Sequence, residues 1–285
     1  MDEDGFDFNI AIVGLGLIGG SYAKALKALK PKKIYGIDIN ENVIDEALNM
    51  GIIDEGYTDG SAALKNSDLV IIALYPEDTV KFVKDNILHF KAGAVITDTC
   101  GVKQMVIEEI NRYLPENIEF VGAHPMAGKE SYGLKSSSED IFKGCNYIIT
   151  SCSRNSNKSL AFIEKMAKSI GCRNIMYIDA GEHDKIMSYT SQLPHAIAVA
   201  LMNSNMFFDD AGKFAGGSFK DSTRVADINS KLWAQLFLLN SNNLIDEIEK
   251  FEETLEVIKE AVKSKNEDAL INMFADAGQK RRMML

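Results

Sequence analysis

The chain is short of the residues that mark the commonest identifiable chemistries. None of its four cysteines forms a CxxC pair, and Cys100, Cys145, Cys152 and Cys172 lie near small or apolar neighbours. Such thiols are expected to be reduced, in a reducing compartment, so neither a disulfide framework nor a metal site is expected. No apolar run approaches the roughly 20 residues that a membrane-spanning helix needs. The opening Met1-Asp2-Glu3-Asp4 is acidic where a secretory signal would be basic. A cytoplasmic protein with no membrane partner is the expectation. Basic charge is scarce too: 31 Lys and Arg stand against 41 Asp and Glu, for a formal net charge of −10. Binding a phosphate backbone needs a basic stripe, and the one dense cluster, Lys280-Arg281-Arg282, is too short to supply it. Nucleic acid is therefore excluded as a partner. Histidine is also rare, at four in 285 residues, which makes the place of each one informative.

What the chain does have is alternation. Short β-branched runs at 9–13, 33–38, 68–74, 94–98, 118–123, 147–150 and 175–179 are separated by stretches with apolar residues at three- and four-residue spacing. That order predicts an α/β fold, a doubly wound and mainly parallel Rossmann sheet with helices on both faces. After Asp179 the strand signals stop and helical periodicity runs almost to the end, broken by the glycines of 214–221. The sequence therefore predicts a dinucleotide-binding domain over 1–179 and an all-α C-terminal domain over 180–285. Apolar stripes such as LWAQLFLLNSNNLI and LINMFADA predict that the helical part buries surplus surface in a homodimer. No internal repeat is present, and no third, regulatory domain is expected.

The first strand runs into Gly14-Leu15-Gly16-Leu17-Ile18-Gly19, a helix follows, and Asp38 ends the next strand. A GxGxxG alone is weak evidence; with strand before, helix after and acid at the next strand end it reads as a dinucleotide site. Gly14 permits the tight turn, Gly16 lets backbone approach a pyrophosphate and Gly19 lets helix pack on sheet. The pyrophosphate would sit on the free N–H groups of the helix N-terminus. Asp38 would accept hydrogen bonds from ribose hydroxyls and repel a 2′-phosphate, which favours NAD over NADP. Gly14, Gly16, Leu17, Ile18, Gly19 and Asp38 are the candidate cofactor-binding residues.

Ligands bind such sheets beyond the carboxyl ends of the strands. GAHPMAG (122–128) begins there, and its His124 carries a group whose ordinary pKa, about 6.5, suits proton transfer near neutrality. Pro125 biases His124 toward extended backbone. In the helical part, Pro194 precedes His195, and a glycine turn at Gly216-Gly217 precedes Arg224, which can grip a carboxylate bidentately. Lys103, Lys129 and Lys220 are further cations, each expected to be a solvated charge.

Taken together, GLGLIGGS, HPMAGKESYG, SQLPHAIAVAL and GGSFKDSTRVADINSKLWAQLFLLN resemble the prephenate dehydrogenase family, which includes arogenate dehydrogenases of tyrosine biosynthesis. The resemblance implies that His124 is catalytic and that His195 and Arg224 contact substrate. It also implies a charged network of Glu130 and Asp221 around the arginine, with Ser191 near the substrate. Many members carry a serine in DxxS(V/T)K; here DTCGVK has Gly101, so Thr99, water or backbone would have to take its role. The implied reaction is NAD-dependent oxidative decarboxylation of prephenate, or of arogenate, without a metal. Another two-domain hydroxyacid-type dehydrogenase, or an NAD-binding protein without catalysis, is the alternative reading.

Overall fold

Runs of Ile and Val pair into one sheet because both of its faces are covered. The strands are β1 (Asn9–Val13), β2 (Lys33–Ile37), β3 (Glu55–Tyr57), β4 (Leu69–Ile72), β5 (Val95–Asp98), β6 (Glu119–Pro125), β7 (Asn146–Thr150) and β8 (Asn174–Ile178). Their order is β3-β2-β1-β4-β5-β6-β7-β8, parallel throughout except for the antiparallel pair β6–β7. This computed structural model describes residues 6–129, 131–204 and 211–284. Ile10 and Ile12 of β1, with Leu69 and Ile71 of β4, enter one apolar layer; Ala11, Val13, Val70 and Ile72 enter the other. That is the two-residue period of a strand buried on both sides.

The crossovers are α1 (Leu17–Lys27), α2 (Glu41–Asn49), α3 (Ser61–Asn66), α4 (Pro76–Asp85), α5 (Gln104–Tyr113) and α6 (Asn157–Ser169). All seven predicted strands form. β3 and α3 were not predicted: three half-buried residues and a six-residue helix carry too little periodicity to read. β6 runs two residues past its predicted end and includes His124 and Pro125. Proline is tolerated there because Ala123 N–H points toward β5 and donates to Asp98 Oδ1, while β5 itself stops at Asp98. The missing N–H of Pro125 falls on that same side, past the end of β5, where no ladder bond is lost.

Asp179 leaves β8 and caps α7 (Ala180–Met187), its Oδ1 accepting from the N–H groups of Gly181 and Glu182. A wide π-turn over Ser188–Gln192 joins α7 to α8 (Leu193–Asn203). Pro194 has no N–H to continue the ordinary ladder, and such bulges accommodate the loss. Then come α9 (Ala211–Phe214), α10 (Gly217–Thr223) and α11 (Ser230–Leu239). Met1–Asn240 form one compact unit; Ser241–Leu285 form a second, in which α12 (Ser241–Lys263) and α13 (Glu267–Met284) pack together. Among the described residues no helix is long and apolar enough to cross a membrane.

Candidate active site

The order of the sheet reverses between β1 and β4, and a cavity of about 830 Å³ opens beyond their carboxyl ends. Gly16, Leu17 and Ile18 form one wall; His124, Ser191, His195 and Arg224 line the same space. Residues 106 positions and more apart in sequence thus meet. Of the other candidates, Asp221 is exposed and does not line the cavity. Glu130 lies outside the described residues. Thr99 and Lys129 line the cavity, and Lys220 is exposed as expected.

The turn at Gly14–Gly19 fits a dinucleotide. Gly14 has φ +83°, and a Cβ there would stand 2.6 Å from the Ala73 carbonyl oxygen. A Cβ on Gly19 would be 1.8 Å from the Gly14 carbonyl oxygen, whereas one on Gly16 would meet nothing within 4 Å. Close packing at both ends and open space in the middle let a ligand approach the backbone. Gly16 opens α1 without any side chain capping it, so the first N–H groups are available to an anion. Asp38 accepts the Leu15 N–H on Oδ2 at 2.8 Å and the Asn40 N–H on Oδ1 at 2.9 Å, fixing the acid beside the turn.

Opposite, His124 is half-buried in the cavity wall, and its Nδ1 lies 3.0 Å from Nε2 of His183. His183 is fully buried, with Nδ1 2.7 Å from Asp184 Oδ1. Burial, then the neighbouring His183 and the Lys103 ammonium, hold His124 well below the usual histidine range. His183 is lowered as well, chiefly by burial. Lys103 is not the solvated charge expected of it: it is 0% exposed and its Nζ bonds Asp98 Oδ2. Asp98 also accepts the N–H groups of Cys100 at 3.0 Å and Ala123 at 2.9 Å. A fully buried ammonium needs such a partner, and the pair pins the 98–103 turn beneath His124.

Across the cavity, the His195 ring stacks on Trp233, centroids 3.6 Å apart and 27° from parallel. Its Nδ1–H donates to the Ser191 carbonyl at 2.8 Å, which fixes the ring beside the cavity. Tyr75, after β4, accepts from Asn229 Nδ2. A Cβ on Gly101 would sit 3.4 Å from Leu236 and 3.8 Å from His124 Cε1, so the site of the expected serine is next to the histidine. The partner of His124 is instead His183, which the sequence reading did not single out. A histidine beside an aspartate in the first turn of a helix, in a chain with four histidines, was the available signal. Among the described residues no group of three His, Cys, Asp or Glu side chains could hold a metal.

A dinucleotide turn and a half-buried histidine share one cavity, the arrangement of an NAD-dependent oxidoreductase. The family models described as prephenate dehydrogenase, nucleotide-binding domain, and prephenate dehydrogenase, dimerization domain, match residues 22–176 and 179–276. The chain belongs to the prephenate dehydrogenase family. It is 30% identical to prephenate dehydrogenase of Bacillus subtilis over 275 residues, 94% of this chain and 74% of that one. It is 32% identical to cyclohexadienyl dehydrogenase of Zymomonas mobilis over 284 residues, 97% and 96% of the two chains. The solved prephenate dehydrogenase of A. aeolicus, in complex with hydroxyphenyl propionate and NAD+, superposes with TM-score 0.90 at 32% identity, covering 98% of each chain.

Proposed function

We infer that this protein catalyses the oxidative decarboxylation of prephenate to 4-hydroxyphenylpyruvate, a step of tyrosine biosynthesis, with NAD as its cofactor. The observation that carries the reading is the half-buried His124, tied through Nδ1 and sharing a cavity with the open Gly16–Ile18 turn. NAD, when bound, supplies the acceptor for the hydride of the ring carbon that bears the hydroxyl. His124 Nε2 takes the hydroxyl proton. The bond from the opposite ring carbon to its carboxylate breaks, carbon dioxide leaves, and its electron pair restores the aromatic ring. The proton held on His124 returns to the resulting phenolate oxygen. Arg224 and His195 hold substrate carboxylate and side-chain oxygens, with Ser191, Glu130 and Asp221 in support. Fixing the ring in this way is an orientation effect worth several kcal/mol.

The similarity to a cyclohexadienyl dehydrogenase supports a second reading, in which arogenate is also used. The test is to supply prephenate or arogenate, each with NAD or NADP, and to follow reduced-nicotinamide absorbance. Prephenate with NAD is expected to give the strongest signal. Silence in all four combinations would overturn the assignment. We further propose that residues 1–179 act as the NAD-binding domain and 180–285 as the substrate-binding and dimerisation domain, that the working form is a cytoplasmic homodimer, and that sedimentation gives twice the chain mass.

A further inference from the structure

We infer that His183 and Asp184 are positioning residues that hold His124 in the one neutral tautomer able to take a proton in the cavity. This deepens the proposed reaction and rests on His124 being its base. The direction of each hydrogen bond follows from Asp184. Its Oδ1 accepts the Lys103 backbone N–H at 2.7 Å, and its Oδ2 accepts the Gln104 N–H at 2.9 Å. These are the leading amides of α5, whose positive end suits a carboxylate.

A carboxylate only accepts, so His183 Nδ1, 2.7 Å from Oδ1, must carry its ring proton and donate. Neutral His183 then presents a lone pair at Nε2, and His124 Nδ1, 3.0 Å away, must donate to it. The proton of neutral His124 is thereby assigned to Nδ1. Its Nε2 is left as the lone pair, which is the nitrogen the chemistry needs. Asn240 Nδ2 holds the Asp184 carbonyl oxygen at 2.8 Å and fixes the backbone of the relay. With glycine at 101, the imidazole has no hydroxyl there to orient it; the relay comes instead through α7.

The test reads the tautomer directly. In protein labelled with 15N-histidine and free of substrate, His124, assigned by the loss of its signals in His124→Asn, is expected to show a protonated Nδ1 and an unprotonated Nε2. Asp184→Ala removes the acceptor of the His183 Nδ1–H, so neither ring is held to one tautomer and the proton of His124 is released to Nε2. The kcat of this variant is expected to fall by about 10²–10⁴-fold, as for loss of a general base, with KM and NAD affinity little changed. His183→Leu removes the acceptor and is expected to lose kcat similarly, while His183→Gln, which restores a carbonyl oxygen near Nε2, recovers most of it. NAD affinity by calorimetry reports whether each variant is folded, and the wild-type spectrum stands if His183→Leu is not. A wild-type His124 protonated at Nε2, or an Asp184→Ala variant that binds NAD with unchanged kcat, overturns the proposal. The spectrum needs no substrate: the expected tautomer in a protein that turns over neither prephenate nor arogenate would overturn the reaction and leave the relay standing.

Discussion

The two walls of the cavity are built by different means. The dinucleotide wall is backbone: six consecutive residues, three of them glycine, whose function lies in what they lack. The opposite wall is side chain, with His124 from β6, His195 from α8 and Arg224 after α10 each brought in by the fold, and His183 from α7 buried behind His124. A backbone site tolerates no added atoms, whereas a side-chain site tolerates no lost ones. Substitution should therefore act in opposite senses on the two walls.

The largest effect is expected on the side-chain wall. His124→Asn should lower kcat by about 10²–10⁴-fold while calorimetry still finds NAD bound, because nothing on the backbone wall changes. Next comes the floor beneath it: Lys103→Met leaves Asp98 buried without its cation and should cost about 3–5 kcal/mol, seen as an earlier urea midpoint. An unchanged midpoint would mean that the pair does not organise the turn. On the backbone wall the smallest possible addition should do damage. Gly19→Ala drives a methyl group against the Gly14 carbonyl and should cost about 1–3 kcal/mol as overpacking does, with weakened NAD affinity and little change in the pH dependence of turnover.

A smaller effect concerns pH. His124 and His183 are both held below the usual histidine range in the folded chain. Between those values and the unfolded value of about 6.5 the unfolded chain binds more protons, so stability rises with pH and is lost as pH falls below that point. Turnover should be flat above it, where His124 is already neutral, and drop only on the acid side; a rate still climbing well above the histidine range would break the assignment of the base. Smallest is Gly101→Ser. The added group makes ordinary contacts with Leu236 and His124, so the variant should fold normally and shift kcat/KM by no more than about tenfold, the worth of one net hydrogen bond.

The same contrast explains what was legible in the sequence. The backbone wall is local, so GLGLIGGS with Asp38 could be read as it stands, and so could every strand long enough to show its period. His124, His195 and Arg224 were visible through motif and position. His183 was not, because its role depends on a partner 59 residues away that only the packing of α7 beneath β6 supplies. Lys103 was misread for a related reason. A lysine after a strand is usually solvated, and only its distance from Asp98, itself sealed by two amides, turns it into a buried ion. Tertiary electrostatics, not secondary structure, was the hidden layer.

Asp38 carries a consequence for anyone redesigning coenzyme choice. Each of its oxygens already holds a backbone amide, at Leu15 and at Asn40. Replacing it to admit a phosphorylated ribose would therefore unfasten the loop at the same stroke. A successful switch has to bring a second substitution that recloses the turn, and selection for the new coenzyme alone should return double mutants more often than single ones.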